Sequence, residues 1–197
     1  MENKRRGKLY IISGPSGTGK STIIEKVRQY RPELTFSVSA TTRLPRKGDV
    51  EGVTYYFKTK PQFEEMIKNG ELLEYAQFAG NYYGTPIRPI LEKMENGIDT
   101  VLDIEVNGHH QVKEKIPEAI SIFIIPPSME ELERRLRSRG TDSDAVIEVR
   151  LKTAEKELDE MDNYDYIVEN DLIRNAVFQV LLIMSANERN ERESKRK

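Results

Sequence analysis

Short apolar runs alternate with amphipathic segments along most of the chain. The run LYIIS, residues 9–13, lies between charged and glycine-rich flanks, and it predicts a buried strand. Residues 21–30 predict a helix with one apolar face, made of Ile23, Ile24, Val27 and Tyr30. Strands that alternate with helices in this way are typical of a parallel sheet covered by helices.

Later segments continue the alternation. Strands are predicted from the runs TFSVS (35–39), TVLDIEV (100–106), AISIFII (119–125) and YDYIV (164–168). Helices are predicted at about 86–96, from the capping-box pattern of Ser128 and Glu131, at about 144–161, and from about 171 into the charged tail. The helix at 144–161 is indicated by apolar residues at helical spacing, namely Ile147, Leu151, Ala154, Leu158 and Met161.

One segment, at about 37–85, breaks this rhythm because it is rich in predicted strands. Short strands at about 53–58 and 72–78 flank a predicted helix at about 61–69, which ends at Gly70. We interpret the segment as a small insertion into the α/β core. The polar stretch RSRGTDSD, residues 137–144, lies between two predicted helices, and both a mobile flap and an ordinary loop fit its composition.

Composition narrows the class of protein. A chain of 197 residues suits one compact domain, and a formal net charge of -2 gives no overall field that would attract nucleic acid or an anionic membrane. The absence of Cys excludes disulfides and thiolate metal sites. No apolar run has the length of a signal peptide or a membrane span. We therefore expect a cytoplasmic protein without nucleic-acid or membrane partners, and whether it forms a homo-oligomer is left open.

A phosphate-binding motif follows the first predicted strand. GPSGTGKS, residues 14–21, fits G-x-x-x-x-G-K-[ST], with a strand before it and a helix after it, which disfavours a chance glycine-rich turn. Backbone N–H groups of such a loop point at phosphate oxygens, while Lys20 reaches the β- and γ-phosphates and Ser21 ligates Mg²⁺. The predicted ATP site therefore consists of Gly14, Pro15, Ser16, Gly17, Thr18, Gly19, Lys20, Ser21 and Thr22.

The class of nucleotide enzyme depends on further motifs. Asp103 ends an apolar strand, where a carboxylate often supports the metal through water, although an ordinary surface Asp also fits. No [NT]-K-x-D segment for reading guanine in a GTPase is present. DVEG, residues 49–52, matches the short D-x-x-G switch pattern, but it follows a turn rather than a strand, so we treat the match as chance.

A second anion site is predicted in SATTRLPRKGDVEGVTYYF, residues 39–57. Arg43 and Arg46 lie three positions apart around Pro45, and two nearby guanidiniums are neutralised well by a phosphate monoester. Hydroxyls of Tyr55 and Tyr83 can add hydrogen-bond donors. Taken alone, this stretch is also compatible with a solvated basic loop.

Several blocks of the sequence, in order along the chain, resemble the guanylate kinase family. SATTRLPR resembles the family signature S-x-T-T-R-x-P-R, and further blocks follow in the family order: GVTYYF, ELLEYAQFAGNYYGT, LDIEVNG, PPSMEELERRLRSRGT and YDYIVEND. The resemblance spans about residues 8–185. It implies an α/β, P-loop NTPase-type three-layer fold with a central parallel sheet, a small inserted mixed α/β GMP-binding subdomain and a lid.

The resemblance also assigns regions and residues. It implies a single domain with its core at about 1–36, 86–136 and 151–190, the GMP-binding insertion at about 37–85 and the lid at about 137–150. The implied GMP-binding residues are Ser39, Arg43, Arg46, Tyr55, Glu74, Tyr83, Thr85, Asp103 and Glu105. The implied catalytic residues are Lys20, Arg43 and the lid-region arginines Arg135, Arg139 and Arg150, and the implied metal residues are Ser21 and Asp103 through water.

The activity implied by the resemblance is phosphoryl transfer from Mg·ATP to GMP. Two alternatives stay open at this stage: a non-catalytic guanylate-kinase-like binding module, and a kinase of similar fold that acts on another phosphorylated acceptor. The intact phosphate loop disfavours the first. The residues that the resemblance implies to face guanine, Ser39, Glu74, Thr85 and Glu105, disfavour the second. The chain departs from the family pattern at Asn107–Gly108–His109 and at Glu169–Asn170. His109 and His110 are adjacent and are predicted to be helix-surface residues rather than a metal pair.

Overall fold

The fold is known from a computed structural model that describes residues 5–138, 140 and 142–194. The described chain divides into two compact units. One contains the residues through Ile11 and Glu33–Ile120, and the other contains Ile12–Pro32 and the described residues from Ser121 onward. This division differs from the core, insertion and lid proposed from the sequence, and those boundaries stay a prediction.

A five-stranded sheet has the strand order β2-β7-β1-β8-β9. Its strands are β1 (Leu9–Ser13), β2 (Thr35–Phe36), β7 (Thr100–Asp103), β8 (Ile120–Ile125) and β9 (Tyr166–Glu169). β2 pairs in parallel with β7, and β8 pairs in parallel with β9. The near-continuous burial of β1 and β8 is what a central parallel strand requires, because helices cover such strands. The predicted central parallel sheet is confirmed.

A second sheet, of order β4-β3-β6-β5, is mixed and lies within the first unit. Its strands are β3 (Ala40–Thr41), β4 (Tyr56–Phe57), β5 (Leu72–Phe78) and β6 (Asn81–Pro86). Helix α2 (Lys60–Lys68) begins with a capping box, in which Thr59 and Gln62 each accept the other's backbone N–H. Helices α3 (Ile87–Glu95) and α4 (Val106–Lys115) complete the unit, whose main core includes Leu73, Ile90, Leu102 and Val112.

The second unit is mostly helical. It contains α1 (Lys20–Tyr30), α5 (Met129–Ser138), α6 (Asp144–Leu158), a 3₁₀ turn (Met161–Asn163) and α7 (Ile173–Ser194). Leu132 and Leu136 of α5 are buried together with Ile147 and Ala154 of α6. None of the helices among the described residues is long and apolar enough to cross a membrane.

Several local predictions need correction. Only Thr35–Phe36 of the predicted strand TFSVS is a strand, and the next strand, Ala40–Thr41, begins just beyond this run and belongs to the other sheet. TVLDIEV stops at Asp103, and α4 begins at Val106. Tyr30, predicted on the buried face of α1, is 69% exposed because it is the last residue of the helix. His109, predicted at the helix surface, is buried, whereas His110 is exposed.

Candidate active site

The phosphate-loop segment connects β1 to α1. Its residues Gly17 and Gly19 have φ values of 99° and 88°, a left-handed conformation that residues with a Cβ rarely adopt. A Cβ on Gly17 would lie 2.9 Å from methyl carbons of Leu132 and Leu136. Glycine is therefore required here both by the backbone conformation and by the closeness of α5.

A buried asparagine anchors the same loop. Asn170 lies just after β9, and its Nδ2 donates to the carbonyl oxygen of Thr18 at 2.6 Å. Its backbone carbonyl accepts from Nη2 of Arg135 at 2.9 Å. A Cβ on Gly19 would lie 2.5 Å from Asn170 Nδ2, so only glycine leaves room for this bond. Asn170 thus connects the loop with an arginine predicted to act on the triphosphate.

The start of α1 carries the residues predicted to meet the phosphates and the metal. Lys20 is the first residue of the helix, and Ser21 and Thr22 are exposed. A helix N-terminus with free N–H groups attracts anions. Within the described residues, no group of three or more His, Asp or Glu side chains is arranged to hold a metal.

The structure describes two of the three arginines predicted in the lid region. Besides its contact with Asn170, Arg135 donates from Nε to Glu131 Oε1 at 2.7 Å. Hydrogen bonds from Arg134 and then Arg135 lower the pKa of Glu131 to about 2. Glu131 also donates its backbone N–H to Ser128, as predicted for the helix start.

Arg150 donates to Asp142 at 2.6 Å. Arg139 lies outside the described residues, as does part of the predicted lid.

A cavity of about 360 Å³ lies in the first unit. Six residues predicted from the sequence line it: Ser39, Tyr55, Glu74, Tyr83, Asp103 and Glu105. Residues from strands β5 and β6, from the end of β7 and from the start of α4 meet there. The size is within the range of small-molecule sites, and the lining combines carboxylates, hydroxyls and aromatic rings.

Glu74 provides a buried carboxyl in this cavity. Thr85 Oγ1 donates to Glu74 Oε1 at 2.6 Å, across the paired strands β5 and β6. Burial raises the pKa of Glu74, the bonds from Thr85 oppose this rise, and the negative charge of Glu105 adds to it. Thr85 thus fixes the orientation of the Glu74 carboxyl group in the cavity.

An arginine and two tyrosines are gathered nearby. The guanidinium carbon of Arg43 lies 5.2 Å from the ring centre of Tyr55, within the range of cation–π contact. The rings of Tyr55 and Tyr83 meet edge to face, with centres 6.1 Å apart. Arg46, by contrast, is exposed in the loop between β3 and β4. Three of the four predicted phosphate-binding residues are therefore brought together, and Arg46 is not part of their ring contacts.

Two glycines that were not predicted as site residues, Gly84 and Gly108, shape the cavity. A Cβ on Gly108 would lie 3.1 Å from Glu74 Oε2, and a Cβ on Gly84 would lie 2.7 Å from the backbone oxygen of Glu74. Any side chain at either position would press on Glu74. Their only signal in the sequence is glycine within a strand and near a helix start, which is too common to indicate a site.

Comparisons with known proteins show which family the chain resembles along most of its length. The family model described as guanylate kinase matches residues 6–187. A guanylate kinase of Synechococcus sp. (strain JA-3-3Ab) is 52% identical over 172 residues, which cover 87% of this chain and 79% of the relative. A guanylate kinase of Oceanobacillus iheyensis is 50% identical over 183 residues, which cover 93% of this chain and 89% of the relative.

Among solved structures, the crystal structure of guanylate kinase from Anaplasma phagocytophilum superimposes with a TM-score of 0.73 at 34% sequence identity. The match covers 93% of this chain and 87% of that chain. Residues 6–187, which the family model matches, contain the phosphate loop and the residues that line the cavity around Glu74, and the chain belongs to the guanylate kinase family.

Proposed function

We propose that the chain transfers the γ-phosphoryl group of ATP to GMP, giving ADP and GDP, in purine nucleotide metabolism. The observation that carries the proposal is the cavity in which the bonded pair of Glu74 and Thr85 lies together with Tyr55 and Tyr83, whose rings adjoin Arg43. A purine base with donors on its pairing edge suits one part of this cavity. A phosphate monoester suits the other.

The base end has the polarity that guanine needs. Guanine presents two adjacent donors, N1–H and N2–H₂, beside the acceptor O6. The carboxylate of Glu74 accepts both donors, and Ser39 supplies a hydroxyl that can donate to O6. Thr85 already donates to Glu74, so we assign it the role of orienting the carboxylate rather than contacting O6. Adenine offers an unprotonated N1 at the same place and would leave Glu74 unpaired.

The phosphate end combines charge with hydroxyl donors. Arg43 carries a guanidinium beside Tyr55, and we assign Arg43, Arg46, Tyr55 and Tyr83 to the phosphate of GMP. Their task is to hold one phosphate oxygen as the nucleophile, aimed at the phosphorus of the donor. Asp103 and Glu105, which line the same cavity, are assigned to the acceptor side.

The donor side is assigned to the phosphate loop, Gly14–Thr22 in the sequence, with Lys20 on the β- and γ-phosphates. Ser21 would hold Mg²⁺, with Asp103 acting through water; the metal supplies positive charge to the phosphoryl oxygens. Arg135, Arg139 and Arg150 are proposed to offset charge on the transferred group. Because the transition state needs charge stabilisation and alignment, no side-chain nucleophile is required.

The proposal includes a cytoplasmic location and no nucleic-acid partner, and it specifies no oligomeric state. A non-catalytic binding module is disfavoured because the glycines of the phosphate loop retain the conformation that the motif needs. A kinase for a phosphorylated sugar is disfavoured because the chain belongs to the guanylate kinase family.

The test is ADP release from Mg·ATP, measured by a coupled assay with GMP, IMP, AMP and ribose 5-phosphate as acceptors. We expect GMP to be used best, IMP less well because it lacks the amino group, and AMP worse by roughly 10⁴-fold. The matched variant Glu74→Gln should reduce the preference for GMP over IMP and AMP, since an amide accepts fewer hydrogen bonds and places a donor against guanine. Equal use of AMP and GMP by the unmodified protein would contradict the assignment.

A further inference from the structure

One carboxylate oxygen contacts both arginines of the predicted second anion site, Arg43 and Arg46. Asp49 Oδ2 accepts from Nη2 of Arg43 at 2.9 Å and from the backbone N–H of Arg46 at 2.8 Å. The backbone N–H of Asp49 in turn donates to the carbonyl oxygen of Arg46 at 3.0 Å. Asp49 therefore closes the tight turn that follows Arg46 and at the same time holds the side chain of Arg43.

The contact is sheltered and its geometry is restrictive. The side chains of Arg43 and Asp49 are only 13% and 12% exposed. Arg43 also donates from Nη1 to the carbonyl oxygen of Leu44 at 2.8 Å, and its guanidinium lies beside the rings of Tyr55 and Phe57. Hydrogen bonds from two nitrogens and ring contacts together fix the plane of the guanidinium. A guanidinium still carries further N–H donors beyond these two bonds.

We propose that Asp49 is a positioning residue for acceptor phosphate binding, which orients Arg43 through this ion pair and ties it to the backbone of Arg46. The inference rests on the proposed function, because the ligand of Arg43 is taken to be the phosphate of GMP. Asp49 does not contact the reacting atoms. It fixes Arg43 before GMP arrives, so that less side-chain freedom is lost on binding.

A different role for the same contact would be competition, with Asp49 occupying Arg43 until phosphate displaces it. The bond to the Arg46 backbone argues against this role, because it makes the carboxylate part of the turn rather than a free substitute for phosphate. The hydrogen bond from the Arg46 backbone is the main cause that lowers the pKa of Asp49, and the bond from Arg43 adds to it. The two roles predict opposite effects of removing the charge.

The test compares Asp49→Asn with the matched control Glu51→Gln. Both changes remove one negative charge from the same loop and keep an oxygen acceptor, but Glu51 accepts from the backbone N–H of Phe57 and, among the described residues, from neither Arg43 nor Arg46. For Asp49→Asn we expect the KM for GMP to rise roughly tenfold, with the KM for ATP and kcat nearly unchanged. Glu51→Gln should leave all three parameters near those of the unmodified protein.

A second variant separates the turn from the ion pair. Asp49→Ser keeps an oxygen that can accept from the Arg46 N–H but is too short to reach Arg43. It should raise the KM for GMP at least as much as Asp49→Asn does. A double-mutant cycle with Arg43→Ala then tests the connection directly: if Asp49 acts through Arg43, Asp49→Asn adds little once Arg43 is Ala.

Each outcome decides the question. An unchanged or lower KM for GMP in both Asp49 variants would overturn the proposal, and a lower KM would support competition instead. Full additivity with Arg43→Ala, or equal damage to the ATP and GMP parameters, would indicate a merely structural role. Failure of the unmodified protein to use GMP at all would instead count against the proposed function.

Discussion

At the scale of single residues, Glu74 combines two demands that conflict. Burial in the cavity raises the pKa of its carboxyl, which favours the protonated form in the absence of ligand. The proposed contact with guanine needs the ionised form, since only a carboxylate accepts both N1–H and N2–H₂. Below this raised pKa, binding of GMP is therefore expected to be coupled to release of a proton from Glu74.

The sign of this coupling gives a prediction. Above the raised pKa of Glu74, the carboxylate is already present and GMP binds without a protonation cost. As the pH falls through that pKa, the KM for GMP should rise while the KM for ATP changes less. We expect log KM to depend more steeply on pH for GMP than for ATP, as measured by steady-state kinetics on the acid side of neutrality.

Glu74→Gln is the control, because the phosphate of GMP itself titrates in this region. In this variant, the part of the pH dependence of the KM that comes from the phosphate should remain, and the part that comes from Glu74 should be lost. A pH dependence that is the same in both proteins would show that the whole effect comes from the phosphate. It would then contradict a coupling between GMP binding and proton release from Glu74.

Lys20 gives a second prediction at this scale. It is the first residue of α1, and the proposed role places its charge on the β- and γ-phosphates. Lys20→Ala should lower kcat by roughly 10²–10³-fold or more, since a fixed positive group at the developing charge is lost. Thermal unfolding should be nearly unchanged. Retention of most of the kcat with an unchanged melting temperature would contradict the role.

At the scale of elements, Phe63 fastens helix α2 to the mixed sheet of the first unit. Its side chain is 0% exposed, and its ring stacks on that of Tyr82, with centres 5.2 Å apart and planes 12° from parallel. Gly84, which lines the cavity, lies against the tip of the same ring. Packing of one helix is therefore continuous with the wall of the acceptor cavity.

Removing this ring should affect stability and acceptor use together. Phe63→Ala should lower the free energy of unfolding by roughly 3–5 kcal/mol, because it removes buried apolar surface and leaves a cavity. Urea unfolding measures this loss, and the KM for GMP should rise as well. Tyr30→Ala is the matched control, since that aromatic residue is exposed at the end of α1 and should change stability by less than about 0.5 kcal/mol. Similar losses from both changes would contradict the packing argument.

The elements that the sequence predicted best have strong local signals. β5 at Leu72–Phe78 is confirmed over its whole length, and α1 is confirmed within one residue, because Gly19 stands before its first turn. β6 was not predicted, since NYYGTP contains both Gly84 and Pro86. TFSVS was predicted to be a strand over all five residues, but only Thr35 and Phe36 pair with β7, because a run of apolar and hydroxyl residues does not indicate where strand pairing ends.

The candidate site could be proposed from the sequence where the residue type itself carries the chemistry. The loop GPSGTGKS and the arginines of SATTRLPR are recognisable because few other functions need such patterns. Asp49 was set aside as part of a chance match, since nothing in a basic loop shows that one carboxylate will bond to Arg43 and to the Arg46 backbone. Burial of His109 likewise depends on tertiary packing.

At the scale of the whole molecule, the proposed chemistry is divided between the two compact units. The phosphate loop and the described arginines Arg135 and Arg150 belong to the second unit, while the acceptor cavity belongs to the first. Transfer to GMP rather than to water requires that both phosphates be aligned and that solvent be excluded at the moment of reaction. Binding of each substrate alone does not meet this requirement.

We therefore expect the molecule to become more compact when both substrates are bound. The reason is that a closed arrangement gains contacts with both ligands, whereas an open one does not, so the pair of ligands shifts the population toward closure. Small-angle X-ray scattering should show a smaller radius of gyration with GMP and a non-hydrolysable ATP analogue together than with either alone. AMP with the same analogue is the matched control, because AMP lacks the donors that Glu74 is proposed to accept. Identical profiles for the free protein and for the protein saturated with GMP and the analogue would show that closure is not part of the mechanism.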